Sequence, residues 1–219
     1  MRQIIFPNWL VWIDKHLKWL SIPKLPLFLT LIQVLGFFLV MGKPAIKEQL
    51  ILIPKAVFYG EFWRIFTFIA IPLTDHIQIV DHILLVFVLW FFYSIMVWLE
   101  EAWGSTLLTV YFLVAWFSTV LASILLGKEI NTFFYIGFSF FFALATIFPN
   151  KEIHLFFILP IAFKWIAAFV LAVLFIVPLF LASYNALFYL SLVFANYLLF
   201  FGKDYWLLFK KELDKRRKS

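Results

Sequence analysis

The sequence predicts an all-α integral membrane protein built as a six-transmembrane-helix bundle, and three observations carry that prediction. Hydrophobic residues make up 65% of the 219-residue chain and mean hydropathy is +1.02, more apolar surface than a soluble domain of this size can bury. Charged residues are only 14% of the chain, too few to cover a water-facing surface. The apolar blocks recur along the whole length, and residues 165–202 hold no charge at all. These features describe one membrane domain with short polar ends.

The elements follow in order. Residues 8–20, "NWLVWIDKHLKWL", place Trp9, Trp12, Ile13 and Leu20 near one helical face, with Asp14, Lys15 and Lys18 elsewhere. Such a Trp- and Lys-bearing amphipathic helix lies on a membrane surface, and residues 1–24 form this N-terminal unit. The six-span domain covers 25–202. Its first span is about 26–42, stopped by Gly42-Lys43-Pro44. Residues 43–76 carry Lys43, Lys47, Lys55, Glu61, Arg64 and Asp75 and are broken by Pro54, Gly60 and Pro72, so they read as a long loop half-immersed at the interface. The second span is about 77–99, ending at Glu100-Glu101, where the carboxylates read as a solvated helix end. The third is about 105–127, after Trp103-Gly104, and the fourth about 130–149. Residues 150–164 are a polar break followed by a proline-interrupted apolar stretch. The charge-free segment 165–202 would make a helix of ~57 Å against a hydrocarbon core of ~30 Å, so it folds back. "ASYN" at 182–185 is the hairpin, giving spans at about 165–182 and 185–202. A basic cytoplasmic tail, 203–219, ends the chain.

Orientation follows from the basic residues. With six spans and both termini inside, thirteen Lys and Arg lie on the inner side and five outside, which favours cytoplasmic termini. The net charge of +6 belongs to this surface rather than to nucleic-acid binding. The first ~20 residues contain Asp14, Lys15 and Lys18 and lack a small-residue cleavage site, so no cleavable leader is expected. The chain has no cysteine, which excludes thiolate chemistry, and no Asn-x-Ser/Thr sequon; both fit a bacterial inner membrane.

Four landmarks occur in sequence: "GEFWRIFTFIAIP" at 60–72, "EEAWGS" at 100–105, "GFSFFFALATIFPN" at 137–150 and "IHLFFILPIAFKWIA" at 153–167. In this order and spacing, over about 60–202, they resemble the rhomboid superfamily, which holds intramembrane serine proteases and inactive relatives of the derlin and iRhom type. The resemblance implies a six-helix core with a long first loop lying sideways in the membrane. Trp63 and Arg64 match the family's Trp-Arg pair in that loop. Glu100 and Gly104, with Ser105, match its turn after the second span, and Gly137 matches the glycine of its Gly-x-Ser-Gly motif. From the residues alone, Trp63 and Arg64 are equally an interfacial aromatic and a snorkelling cation.

The resemblance implies a serine nucleophile in span four, a histidine base in span six and oxyanion donors on span two. Ser139 stands at the nucleophile position, but the four histidines are His16, His76, His82 and His154, and none lies in span six. The pattern puts Tyr189 at the base position, with Ser191 and Asn196 where the family has small glycines. Tyrosine, with an ordinary pKa of ~10, is a poor general base near neutrality. Span two has no asparagine, His82 falls two residues from the family's histidine position near Leu84, and Phe140 replaces the glycine after the serine. The expectation is a dead site: no catalytic residue, no enzyme, Ser139 a remnant bonding back to its own helix.

The Asp75-His76 and Asp81-His82 pairs lie six residues apart, ~600° on a helix, so they point to different sides and no metal site is expected. No phosphate loop, repeat or half-helix pair occurs, and no cofactor is expected. The predicted function is therefore a non-proteolytic rhomboid-like pseudoprotease. It would bind transmembrane helices of client or partner proteins, in contact with membrane lipids and as part of a hetero-oligomeric membrane complex. Phe133, Phe134, Phe138, Phe141 and Phe142 on span four are the candidate partner-binding face. The alternatives are an active intramembrane protease with Ser139 as nucleophile, and a purely structural subunit.

Overall fold

Apolar helices dominate the structure, a computed structural model that describes residues 6–71, 79–155, 159–181 and 183–218. Helix α1 (Asn8–His16) follows Pro7, and a 3-10 turn at Lys18–Leu20 leads into α2 (Leu25–Gly42), which has Pro26 in its first turn. Three short helices then occupy the first loop: α3 (Ile46–Leu50), α4 (Pro54–Phe58) and α5 (Arg64–Thr67), the last continuing into a 3-10 turn at Phe68–Ala70. The bundle continues with α6 (Ile79–Trp103), α7 (Ser105–Leu126) and the shorter α8 (Phe134–Ile147). A small antiparallel hairpin, β1 (Glu152–Leu155) and β2 (Leu159–Ala162), pairs Glu152 with Ala162 and Leu155 with Leu159. Then come α9 (Phe163–Phe180), α10 (Tyr184–Val193) and α11 (Ala195–Lys218).

Four of these helical stretches are long and apolar enough to cross a bilayer, and the α10–α11 pair makes a fifth if the two count as one span. The chain is an all-α multi-pass membrane protein. The fourth predicted span is shorter than expected: α8 has only 14 residues and is an apolar helix enclosed by the others.

The first loop is ordered by contacts at both its ends. Gln33 on α2 donates from Nε2 to the Ile69 carbonyl. Gly36, one turn on, lets the Ala70 carbonyl approach so closely that a Cβ there would overlap it. Trp116 on α7 donates to the Ile65 carbonyl at 2.8 Å and stacks on Phe66. Leu52 pairs with Ile130 through two backbone hydrogen bonds of 3.1 and 3.0 Å, so this loop and the α7–α8 connection lie on one side of the bundle. The opposite side holds α1, where Phe6 meets Trp103 edge-on and Trp9 meets Phe200.

The core centres on α7 and α8. Trp103, Tyr111, Phe140 and Phe200 form a chain of ring contacts between 4.8 and 5.7 Å, all buried. Aromatic pairs of this kind add packing specificity where hydrophobic burial alone gives no direction.

The predicted sixth span, 185–202, is not one helix. It breaks at Phe194, and α10 and α11 meet at 77°. The Ser118 hydroxyl on α7 lies 3.3 Å from the Val193 carbonyl, and the buried Phe194 ring packs on Phe142 and Phe175. The single Ser118 proton also has the Ala115 carbonyl of its own helix at 3.1 Å, so the Val193 contact accompanies the kink rather than fixing it. The predicted tail from 203 onward is instead the continuation of α11, because no helix breaker follows Gly202. Asp75 and His76 lie outside the described residues, as does Ala182 of the hairpin. Asp81 and His82 are placed in α6, and His154 in β1, as backbone only.

Candidate functional site

Ser139 lies at the middle of α8 and is fully buried. Its hydroxyl donates to the Ile136 carbonyl at 2.9 Å, one turn back. The same oxygen accepts a hydrogen bond of 3.0 Å from Asn196 Nδ2 on α11. Its backbone carbonyl accepts a third bond, of 2.7 Å, from the Tyr111 hydroxyl on α7. Three helices thus meet at this residue. The hydroxyl proton is committed to a carbonyl and the oxygen faces an amide donor, so neither described partner is a base that would take the proton. Phe140, beside it, fills the space against Phe92 and Tyr111 at 6.1 and 5.4 Å.

It is Asn196, not Tyr189, that reaches Ser139 from the sixth apolar segment. Tyr189 is buried elsewhere, edge-on to Tyr135 at 5.6 Å and with the Lys128 amine 5.0 Å from its ring centroid. Ser191 is exposed and bonds back to the Leu187 carbonyl. Asn196 also carries a strain of its own: its Oδ1 is buried with no hydrogen-bond partner among the described residues. His16, on α1, is exposed, bonds to the Trp12 carbonyl and stacks on that ring.

The other landmark residues organise turns. Arg64 is buried although it carries a charge. Its Nε and Nη2 both meet the Glu61 carboxylate at 2.6 Å, and its Nη1 donates to the Glu48 and Ile51 carbonyls at 2.6 and 2.8 Å. One guanidinium therefore fastens α3 to the start of α5, which only a planar fork of five donors achieves. Trp63, its neighbour, is exposed, as are Phe58, Tyr59, Phe62 and Phe66. Glu100 accepts a 2.5 Å hydrogen bond from the Ser105 hydroxyl across the α6–α7 turn. Gly104 sits between them at φ +82°, a backbone that residues with a Cβ rarely adopt. Gly137 faces the Phe92 ring, and a Cβ there would find ordinary contact at 3.8 Å, so packing alone does not require glycine.

The five candidate phenylalanines, four in α8 and Phe133 at its N-cap, divide. Phe133, Phe141 and Phe142 are buried within the chain and cannot form an external face. Phe134, Phe138 and Phe141 share one stripe at helical spacing. Exposure falls along it, from 41% at Phe134 through half-buried Phe138 to 5% at Phe141. At the covered end Phe141 meets Phe91 of α6 and Phe163 of α9, and Trp98 closes on Phe163. Phe134, at the other end of the stripe, is exposed, as are Val86, Phe87 and Trp90 on α6 and Phe169 on α9.

A second polar cluster escaped the sequence reading. Thr146 at the end of α8 meets Tyr197 and Tyr205 of α11 at 2.8 and 3.2 Å, and the two phenols are 2.6 Å apart. The signal for it in the sequence is a pair of tyrosines eight residues apart, two turns of α11. Among the described residues, no three His, Asp or Glu side chains gather as metal ligands. No family model, curated protein or solved structure matches the chain.

Proposed function

We propose that this chain is a non-proteolytic, rhomboid-like membrane protein that holds transmembrane helices of client or partner proteins, as a subunit of a larger hetero-oligomeric complex. In this reading α2, α6, α7, α8, α9 and the α10–α11 pair are the six crossings, both termini are cytoplasmic, and the membrane is a bacterial inner membrane. The basic-residue asymmetry supports the orientation, as does the placement of the Leu52–Ile130 pairing and the α1–Trp103 contact on opposite sides.

The observation that carries the reading is the partly uncovered stripe Phe134–Phe138–Phe141, an apolar floor that is exposed at its Phe134 end. An incoming helix would pack against these rings, where van der Waals contact supplies association between membrane helices. Cleavage is disfavoured beneath that floor: the Ser139 hydroxyl is committed to Ile136 and Asn196, and Phe140 occupies the space beside it.

The test is photocrosslinking in native membranes. Benzoylphenylalanine at position 134 is expected to capture a membrane polypeptide of intact length, and the same probe at buried position 140 to capture none. A fluorophosphonate adduct on Ser139, together with cleavage of a reporter helix by the unmodified protein, would replace this reading with that of a protease.

A further inference from the structure

A cavity of about 340 Å³ opens between α9, α10 and the α7–α8 connection, lined by none of the three stripe phenylalanines. Its lining is divided by polarity. The polar wall, Lys128, Glu129, Asn131 and Thr132, comes from the connection just past the C-terminus of α7. The apolar wall, Val173, Leu174, Val177 and Leu190, comes from α9 and α10. Since α7 and α9 are membrane-spanning, the polar wall lies at headgroup level and the apolar wall in the hydrocarbon of the same leaflet. Tyr135 and Tyr189 form the floor between the two.

From this division we infer that the cavity holds one acyl chain and the headgroup of a zwitterionic phospholipid from the leaflet on the first-loop side. The size falls at the lower end of the ~300–1,000 Å³ of small-molecule sites. The charge pattern selects the headgroup. The Lys128 amine is held 5.0 Å from the Tyr189 ring centroid, where it faces a lipid phosphate. Glu129, next in the chain, is exposed and offers its carboxylate to the headgroup amine. Neither residue makes an ion pair among the described residues. A purely anionic headgroup would satisfy Lys128 and be repelled by Glu129. Phosphatidylethanolamine carries both charges and satisfies both residues. The proposal stands independently of whether the chain binds client helices.

The test is native mass spectrometry of the full chain released from nanodiscs containing phosphatidylethanolamine and phosphatidylglycerol in equal amounts, with inorganic phosphate as a separate control. The expected result is one retained phosphatidylethanolamine per chain, favoured about fivefold over phosphatidylglycerol, as one interfacial charge pair provides. Glu129→Gln should erase that preference without removing the lipid. Val177→Trp should expel the lipid by filling the cavity; Val177 is half-exposed, so folding is expected to survive, and an unchanged circular dichroism melt checks it. Equal retention of the two lipids by the wild type would overturn the headgroup assignment. Retention of lipid in Val177→Trp would overturn the cavity assignment. Phosphate alone binding as well as lipid would reduce the site to an anion contact, and a retained polypeptide displaced by Val177→Trp would assign the cavity to a protein helix.

Discussion

Ser139→Ala tests the meaning of the buried hydroxyl through stability rather than activity. In the wild type, Asn196 has one satisfied amide group, Nδ2 on Ser139, and one orphan, Oδ1. Removing the Ser139 oxygen orphans the whole side chain in the bundle interior. Leaving a buried polar group unpaired costs about 1–3 kcal/mol, and measured side-chain pairs between membrane helices average about 0.6 and reach about 1.7. The expected loss is therefore about 1–2 kcal/mol. Asn196→Leu does the reverse. It removes the orphan Oδ1, while the Ser139 hydroxyl keeps its bond to Ile136, so the change should be close to neutral or stabilising. In the Asn196→Leu background, Ser139→Ala should then cost under about 0.5 kcal/mol, because nothing is left to orphan. Steric-trap unfolding in bicelles measures all three variants and the coupling between the sites. A neutral or stabilising Ser139→Ala combined with a destabilising Asn196→Leu would refute the reasoning; it is also the pattern of a strained catalytic serine relieved by mutation.

Three further outcomes follow from other parts of the molecule. Arg64→Lys should cost about 2 kcal/mol and speed amide exchange across residues 46–70 while leaving α7 protected, since an ammonium cannot grip Glu61 with two donors and still reach the Glu48 and Ile51 carbonyls; unchanged exchange would show that the Gln33, Trp116 and Leu52 bonds hold the loop without the guanidinium. Gly36→Ala should cost about 1–3 kcal/mol by driving Ala70 off α2, read as a loss in the same unfolding assay, and a stabilising effect would contradict the close approach. Lys151, outside the spans, has its amine 3.3 Å from the Trp98 ring centroid, and desolvation lowers its pKa, an effect the Glu101 carboxylate only partly offsets. The unfolded chain therefore binds this proton more readily, and stability should rise with pH between the lowered value and the ordinary one near ~10.5, a slope that Lys151→Met removes in melts taken as the pH is raised toward ~10.5.

Punctuation made several helices legible. Gly42-Lys43-Pro44 closes α2, and Gly104 and Gly127 bracket α7, so the expected bounds 26–42 and 105–127 fall within a residue of the observed Leu25–Gly42 and Ser105–Leu126. What was hidden depends on partners far away in the chain. The break at Phe194 lies beside the contact of Ser118 with Val193, 75 residues apart, and the Ser139–Asn196 bond spans 57 residues. Within α8, apolar residues on every side leave no periodicity to tell Phe141, which is buried, from Phe134, which is not. The hairpin at 152–162 was masked by Pro160, which reads as a breaker but sits in a short two-stranded ribbon. The basic residues after Lys203 read as a separate tail by charge, but Leu, Lys, Glu and Arg are also strong helix formers and carry α11 on to Lys218.

The enclosure of α8 bears on how the chain enters a membrane during synthesis. At 14 residues it is ~21 Å long, short of the ~30 Å needed to partition on its own. Its polar groups are met by other helices: Tyr111 has already been made, but Asn196 and Tyr205 follow later, the latter 59 residues beyond Thr146. The nascent α8 therefore has to wait beside the translocation channel until α9, α10 and the first turns of α11 have emerged. For this helix, integration and tertiary assembly are a single event, and a ribosome stalled before α11 would leave behind an unassembled segment for quality-control proteases to recognise.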